Sequence, residues 1–259
     1  MKGTIIVRRP LQMWNAILWG TIAASATMLG ALIVLKFNIP KRIIGFIMAL
    51  GTGALIGATT YELLEDALEY SGFKEIAIGF LGGALIFTIL DMLVSRKGGK
   101  QRKRSEGRGN SADNSSESTS GLGIFIGTVM DTLPESAMIG MSLIGGDSVS
   151  LALVISIFIS NLPEGLSSTV GLQKSGYSTK KIIILWVLVV FFSALSSWGG
   201  VLLEAAPDSI KAIMSSFAGG AIISMIASTM MPEAYKEGGP SVGFITALGV
   251  FLSLWLHHL

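Results

Sequence analysis

Two short stretches hold the residues best suited to chemistry: Asp131-Thr132-Leu133-Pro134-Glu135 and Ser160-Asn161-Leu162-Pro163-Glu164-Gly165. Both follow one pattern of two polar residues, an apolar residue, a proline and a glutamate. A helix turns by about 100° per residue, so positions four apart share a face. Asp131 is thereby set one turn from Glu135, and Ser160 one turn from Glu164. Proline removes one backbone hydrogen bond and clashes with the carbonyl four residues back. Pro134 is expected to free the carbonyl of Met130, and Pro163 that of Ile159. Each motif thus offers a carboxylate, a polar side chain one turn earlier and a bare carbonyl. These are oxygen donors of the kind that suit divalent cations.

The elements that must position these donors are apolar. Of the 259 residues, 51% are hydrophobic and 14% charged, with a mean hydropathy of +0.66. That composition belongs to a polytopic membrane protein. The 32 glycines fit, because small residues let membrane helices approach closely. There is no cysteine, which excludes disulfides, thiolate metal sites and thiol catalysis. The fold class expected is all-α. Eight apolar segments of spanning length run over 12–35, 43–64, 75–94, 121–144, 148–172, 181–204, 211–235 and 240–257. The first exceeds the h-region of a signal peptide, roughly 7–15 residues, and reads as a retained span. Residues 1–94 hold spans 1–3 and 121–259 hold spans 4–8, all in a single transmembrane domain. Between them, 95–120 is charged, low in complexity and rich in Ser and Gly, and reads as a disordered cytoplasmic loop.

Lysine and arginine set the expected orientation. With 95–120 in the cytoplasm and the spans alternating, 14 basic residues fall inside and 5 outside, placing both termini outside. The basic N-terminal tail alone runs against this. An internal repeat is also legible. Gly53-Ala-Leu-Ile through Glu65-Asp66-Ala67 aligns with Gly220-Ala-Ile-Ile through Pro232-Glu233-Ala234, without a gap to Gly72 and Gly239. Gly79-Phe-Leu in the next span echoes Gly243-Phe-Ile. Because spans 2 and 7 run in opposite directions, spans 1–3 and 6–8 form an inverted repeat around spans 4–5. Such repeats mark transporters whose site lies near the bilayer midplane.

A carboxylate near mid-membrane costs about 2.5–3.5 kcal/mol on insertion scales and is functional by default. No intramembrane Lys, Arg or His is available to neutralise Asp131, Glu135 and Glu164. They are therefore expected to hold a cation or take up protons. Ser156, Ser160, Glu164, Ser167 and Ser168 form a polar stripe on span 5; Ser193, Ser196 and Ser197 cluster on span 6, and Ser224, Ser228 and Thr229 on span 7. Taken singly, membrane serines are packing groups bonded to their own helix. Glu62, Glu65, Asp66 and Glu69 crowd the outer end of span 2, either concentrating cations or capping a solvated helix end. Asp91 and Glu233 read as interfacial charges, and His257 and His258 as a tail.

The Pro-Glu motifs, the Met-Pro-Glu-Ala plus Gly-Gly ending of span 7 and the variable loop between spans 3 and 4 resemble the ZIP family of metal-ion transporters over nearly the whole chain. The resemblance implies a helical, usually homodimeric importer in the plasma membrane, moving divalent metal through a two-metal site between spans 4 and 5. Carried over by position, Asp131, Glu135, Ser160 and Glu164 form the first site. Thr132, Asn161 and the two shared glutamates form a reduced second one. The family's histidines fall at Asp131 and Ser160, and its glutamates of spans 6 and 7 at Ser197 and Thr229. Loss of imidazole moves the donor set toward hard oxygen and helps Mn2+, Fe2+ or Mg2+; the family points to Zn2+. The expected partners are membrane lipid, the transported ion and a second copy of the chain, with no nucleic acid and no bound cofactor. The rival functions are a non-transporting sensor or scaffold of the same fold and a carrier of another cation. An enzyme is not expected, since the Ser-His pair and His-based zinc site of a hydrolase are missing.

Overall fold

In the computed structural model, residues 2–96, 114–144 and 149–259 are described, and every regular element among them is helical. The long first helix, α1, is Lys2–Lys36. Next, α2 (Lys41–Ala58) runs through a π-helical stretch, Thr59–Leu64, into α3 (Glu65–Tyr70). A two-residue turn leads to α4, Phe73–Arg96. The two motif helices are α5 (Asn114–Met141) and α6 (Leu151–Lys174). Then come α7 (Thr179–Val201), a 3₁₀ turn at Leu202–Ala205 and α8, Asp208–Met225. From α8 a second π-helical stretch, Ile226–Met230, leads into α9 (Met231–Gly238), and α10 (Val242–His257) follows. Of the stretch 95–120, residues 97–113 lie outside the described ones; its last part, from Asn114, is already helical.

Among the described residues, six helical stretches are long and apolar enough to cross a membrane: Pro10–Lys36, Lys41–Tyr70, Phe73–Val94, Leu151–Lys174, Thr179–Ala205 and Asp208–Gly238. Two of the eight expected spans stand outside that set. The helix α5 has 28 residues, but Asp131, Thr132, Glu135 and Ser136 interrupt its apolar run. The 16 residues of α10 rise only about 24 Å, against a hydrocarbon core of about 30 Å.

Helix α6 is the centre of the molecule. Within its most apolar window 72% is buried, against 22% for α4 and 28% for the helix starting at Thr179. It packs on α1 and α2, while α5 packs mainly on α7, α2 on α10 and α4 on α8. Backbone contact through glycine explains how these polar helices come so close. An added Cβ at Gly165 would stand 2.0 Å from the carbonyl oxygen of Thr27, and one at Gly140 1.9 Å from that of Ser197. The two outer pairs use matching devices. Gly53 rests on the Thr246 carbonyl of α10, and Gly220 on the Phe80 carbonyl of α4. Gly249 meets the Leu50 carbonyl, and Gly83 that of Phe217.

The two π-helical stretches also correspond, each opening six residues beyond the matched glycines Gly53 and Gly220. At the second, the cause is local. Pro232 follows at the start of α9 and cannot complete the α-helical bond to Ser228, and a wider turn relieves its clash with that carbonyl. The first has no proline, and nothing in the structure explains it.

Candidate metal site between the motif helices

All six expected site residues, Asp131, Thr132 and Glu135 on α5 and Ser160, Asn161 and Glu164 on α6, are buried. The acidic groups closest in electrostatic effect to Glu135 are Glu164 and Asp131. Glu164 and Asp131 thus lie within electrostatic reach of Glu135. Glu135 has 0% exposure, and neither of its carboxylate oxygens has a hydrogen-bond partner among the described residues. A buried polar group in that condition costs about 1–3 kcal/mol, more when charged.

The surrounding oxygens are arranged to accept rather than donate. Ser160 spends its hydroxyl proton on the Ile157 carbonyl at 2.9 Å, and Thr132 its own on the Thr128 carbonyl at 2.6 Å. Asn161 donates its amide nitrogen to the Ala23 carbonyl of α1 at 3.3 Å, while its side-chain oxygen is buried without a partner. Ser136, Ser156 and Ser193 also carry buried hydroxyls without partners among the described residues. The free lone pairs of Ser160, Thr132 and the Asn161 oxygen are of the kind a hard divalent cation takes. Among the described residues no three His, Asp or Glu side chains stand close enough to hold a metal by themselves. Hydroxyl, amide or water oxygens must therefore complete any coordination.

The backbone beside Pro134 is fastened from outside its own helix. Ser196 of α7 donates to the Leu133 carbonyl at 2.7 Å, directly before Pro134. Ser197 and Thr229, where the resembling family has glutamates, are occupied otherwise. Ser197 donates to the Ala16 carbonyl of α1 at 2.8 Å, and Thr229 pairs with Ser228 at 3.3 Å. Ser224 faces α4, reaching Thr88 and the Ala84 carbonyl, and takes no part in the stripe on α6.

Glu233, read from sequence as an interfacial charge, is buried and accepts a hydrogen bond from Ser167, three residues beyond Glu164. The repeat held the clue, since Glu233 occupies the position of Asp66 in the aligned halves. Ser167 and Glu233 line a cavity of about 300 Å³ together with Lys41, Gln173, Lys174 and Glu237. At its rim Lys41 pairs with Glu237 at 3.9 Å. At the far face of the bundle His257 is not a loose tail. Its Nδ1 stands 2.8 Å from Glu62, and its ring stacks on Tyr61.

No protein-family model matches the chain. Two relatives are similar to it over most of its length. One, from Arabidopsis thaliana and provisionally named a zinc transporter, is 24% identical over 84% of this chain. The other, from Myxococcus xanthus, is named zinc transporter GufA and is 27% identical over 90% of this chain. The chain spans 34% of the plant protein's length and 96% of the bacterial one's.

Proposed function

We propose that this chain is a ZIP-type membrane carrier that brings divalent metal cations across the bilayer through the carboxylate site between α5 and α6. The observation that carries the reading is Glu135: a fully buried carboxylate, without a hydrogen-bond partner among the described residues, whose electrostatic neighbours are Glu164 and Asp131. An intramembrane acid so placed weakens the protein unless a cation or proton uses it. Asp131, Glu135, Ser160 and Glu164 are the main donors in this reading, the three acids acting in turn or after a rearrangement, since in this arrangement they do not close on one ion. Thr132 and the Asn161 oxygen extend them. Ser167 and Glu233 then lead from Glu164 into the cavity beside Lys41. The names of the relatives support zinc as cargo, and the oxygen-only donors support Mn2+ or Fe2+ as alternatives.

The matched glycine contacts and π-helical stretches support an inverted repeat of eight spans, with α5 and α10 as the two beyond the six most apolar. The distribution of basic residues supports an orientation with the Lys41 face in the cytoplasm, and the resemblance to the ZIP family supports the plasma membrane. The absence of a three-ligand cluster among the described residues favours the second reading, a non-transporting sensor of the same fold. Purified protein in liposomes loaded with a metal-sensitive dye separates them. Influx of Zn2+, Mn2+ or Fe2+ above empty vesicles is expected. Flux of none of these supports the sensor, and flux of a monovalent ion alone supports a carrier of another class.

A further inference from the structure

We propose that Tyr70 and Lys211 latch one face of the carrier shut, where their repeat counterparts Glu237 and Ile44 border the open cavity on the other face. The inference rests on the carrier reading, since a latch is useful only to a protein that opens its two faces in turn. In the register that matches Gly53 with Gly220, Tyr70 corresponds to Glu237, Asp66 to Glu233 and Ile44 to Lys211. On the Lys41 face these positions line solvent-sized space: Ile44, Glu233 and Glu237 border the cavity of about 300 Å³, and Lys41 reaches Glu237 at only 3.9 Å.

On the opposite face the matching positions are in contact. The Tyr70 hydroxyl donates to the Ile144 carbonyl at 3.2 Å, tying α3 to the turn that ends α5. Lys211 of α8 lies over the Tyr70 ring, 5.4 Å from its centre, and is itself held by Asp208 at 3.1 Å. Gln12 of α1 grips the same turn through the Leu143 carbonyl at 3.3 Å. One turn deeper on α8, Ser215 is buried and reaches the Met141 sulfur of α5 at 4.0 Å. Among the described residues, the positions around the Tyr70 hydroxyl are thus bridged by direct contacts where their counterparts border a cavity. Alternating access in inverted-repeat carriers exchanges the two arrangements around a fixed site. A bond present in only one arrangement biases that exchange by its own free energy.

The absence of cysteine makes the test direct. S215C reports on the packed face and V170C on the cavity wall. Each is purified into nanodiscs, where both faces meet solvent, and reacted with a charged maleimide without metal. V170C is expected to react readily and S215C slowly. Adding Y70F, which removes only the hydroxyl, should speed S215C and slow V170C, so that the ratio of the two rates shifts by about threefold to tenfold, the change in equilibrium one hydrogen bond can supply. K211Q should move both rates the same way as Y70F. Rates unchanged by both substitutions, or rising together at both positions, overturn the latch; the second pattern signals general loosening. Opposed shifts in a chain that moves no divalent cation would overturn the cargo and keep the latch. Divalent flux with unmoved labelling would do the reverse.

Discussion

Replacing Glu135 with Gln is expected to cut metal uptake by well over the tenfold to hundredfold that losing an outer-sphere partner of a metal costs, while making the empty protein more stable. The two halves of this result have one cause. In the empty protein Glu135 has no hydrogen-bond partner among the described residues and faces the fields of Glu164 and Asp131. An amide of the same shape is free of that repulsion. The same amide is a far weaker cation ligand than a carboxylate. The opposite behaviour is expected at Glu233, whose carboxylate already accepts from Ser167. There E233Q weakens a charge-assisted hydrogen bond, normally worth about 1.5–3 kcal/mol, and should lower the melting temperature. Thermal unfolding in detergent, run beside liposome uptake, reads both effects. Retained uptake in E135Q would remove Glu135 from the transport site. A lowered melting temperature would mean that it serves structure.

Substituting Gly165 with Ala should be among the most damaging single-methyl changes in the chain. Its new Cβ would stand 2.0 Å from the Thr27 carbonyl oxygen, far inside any contact that real side chains make. Backbone cannot rotate aside as a flexible side chain does, so α1 and α6 must separate. Overpacking of this kind costs about 1–3 kcal/mol. Separation also pulls on the bond from Asn161 to the Ala23 carbonyl, one turn away, so the site is displaced along with the fold. Gly82 of α4 and Gly243 of α10 provide the control, since an added Cβ meets nothing within 4 Å at either. There G82A and G243A should be neutral or gain a few tenths of a kcal/mol from helix propensity. Melting temperatures of the three variants test the ranking. A G165A chain as stable as the parent would show that α1 and α6 are not in backbone contact.

Much of the candidate site was legible because its signal is local. The spacing of Asp131 and Glu135, and of Ser160 and Glu164, follows from helix geometry alone. A carboxylate inside an apolar run is conspicuous whatever surrounds it. The donor set around Glu135 was less so. That Ser160 and Thr132 tie their protons backward, leaving lone pairs free, depends on rotamers that spacing does not fix. The three serines of span 6 looked alike in sequence. In the fold Ser193 is buried without a partner among the described residues, Ser196 binds the Leu133 carbonyl before Pro134 and Ser197 binds α1.

What the amino-acid sequence determined by itself is the solvent and the inventory: helices for a bilayer, acids within them, prolines that bend them and glycines where they meet. Hydropathy and proline stereochemistry act within a few residues of chain, so they can be read without neighbours. The tertiary structure alone decided which helix lies against each face. Ser197 and Ala16 are 181 residues apart, and Glu62 and His257 are 195 apart. Periodicity gives the direction in which a side chain leaves its helix; only packing supplies the atom it meets there. For that reason Glu233 passed for a surface charge until Ser167 was seen to hold it.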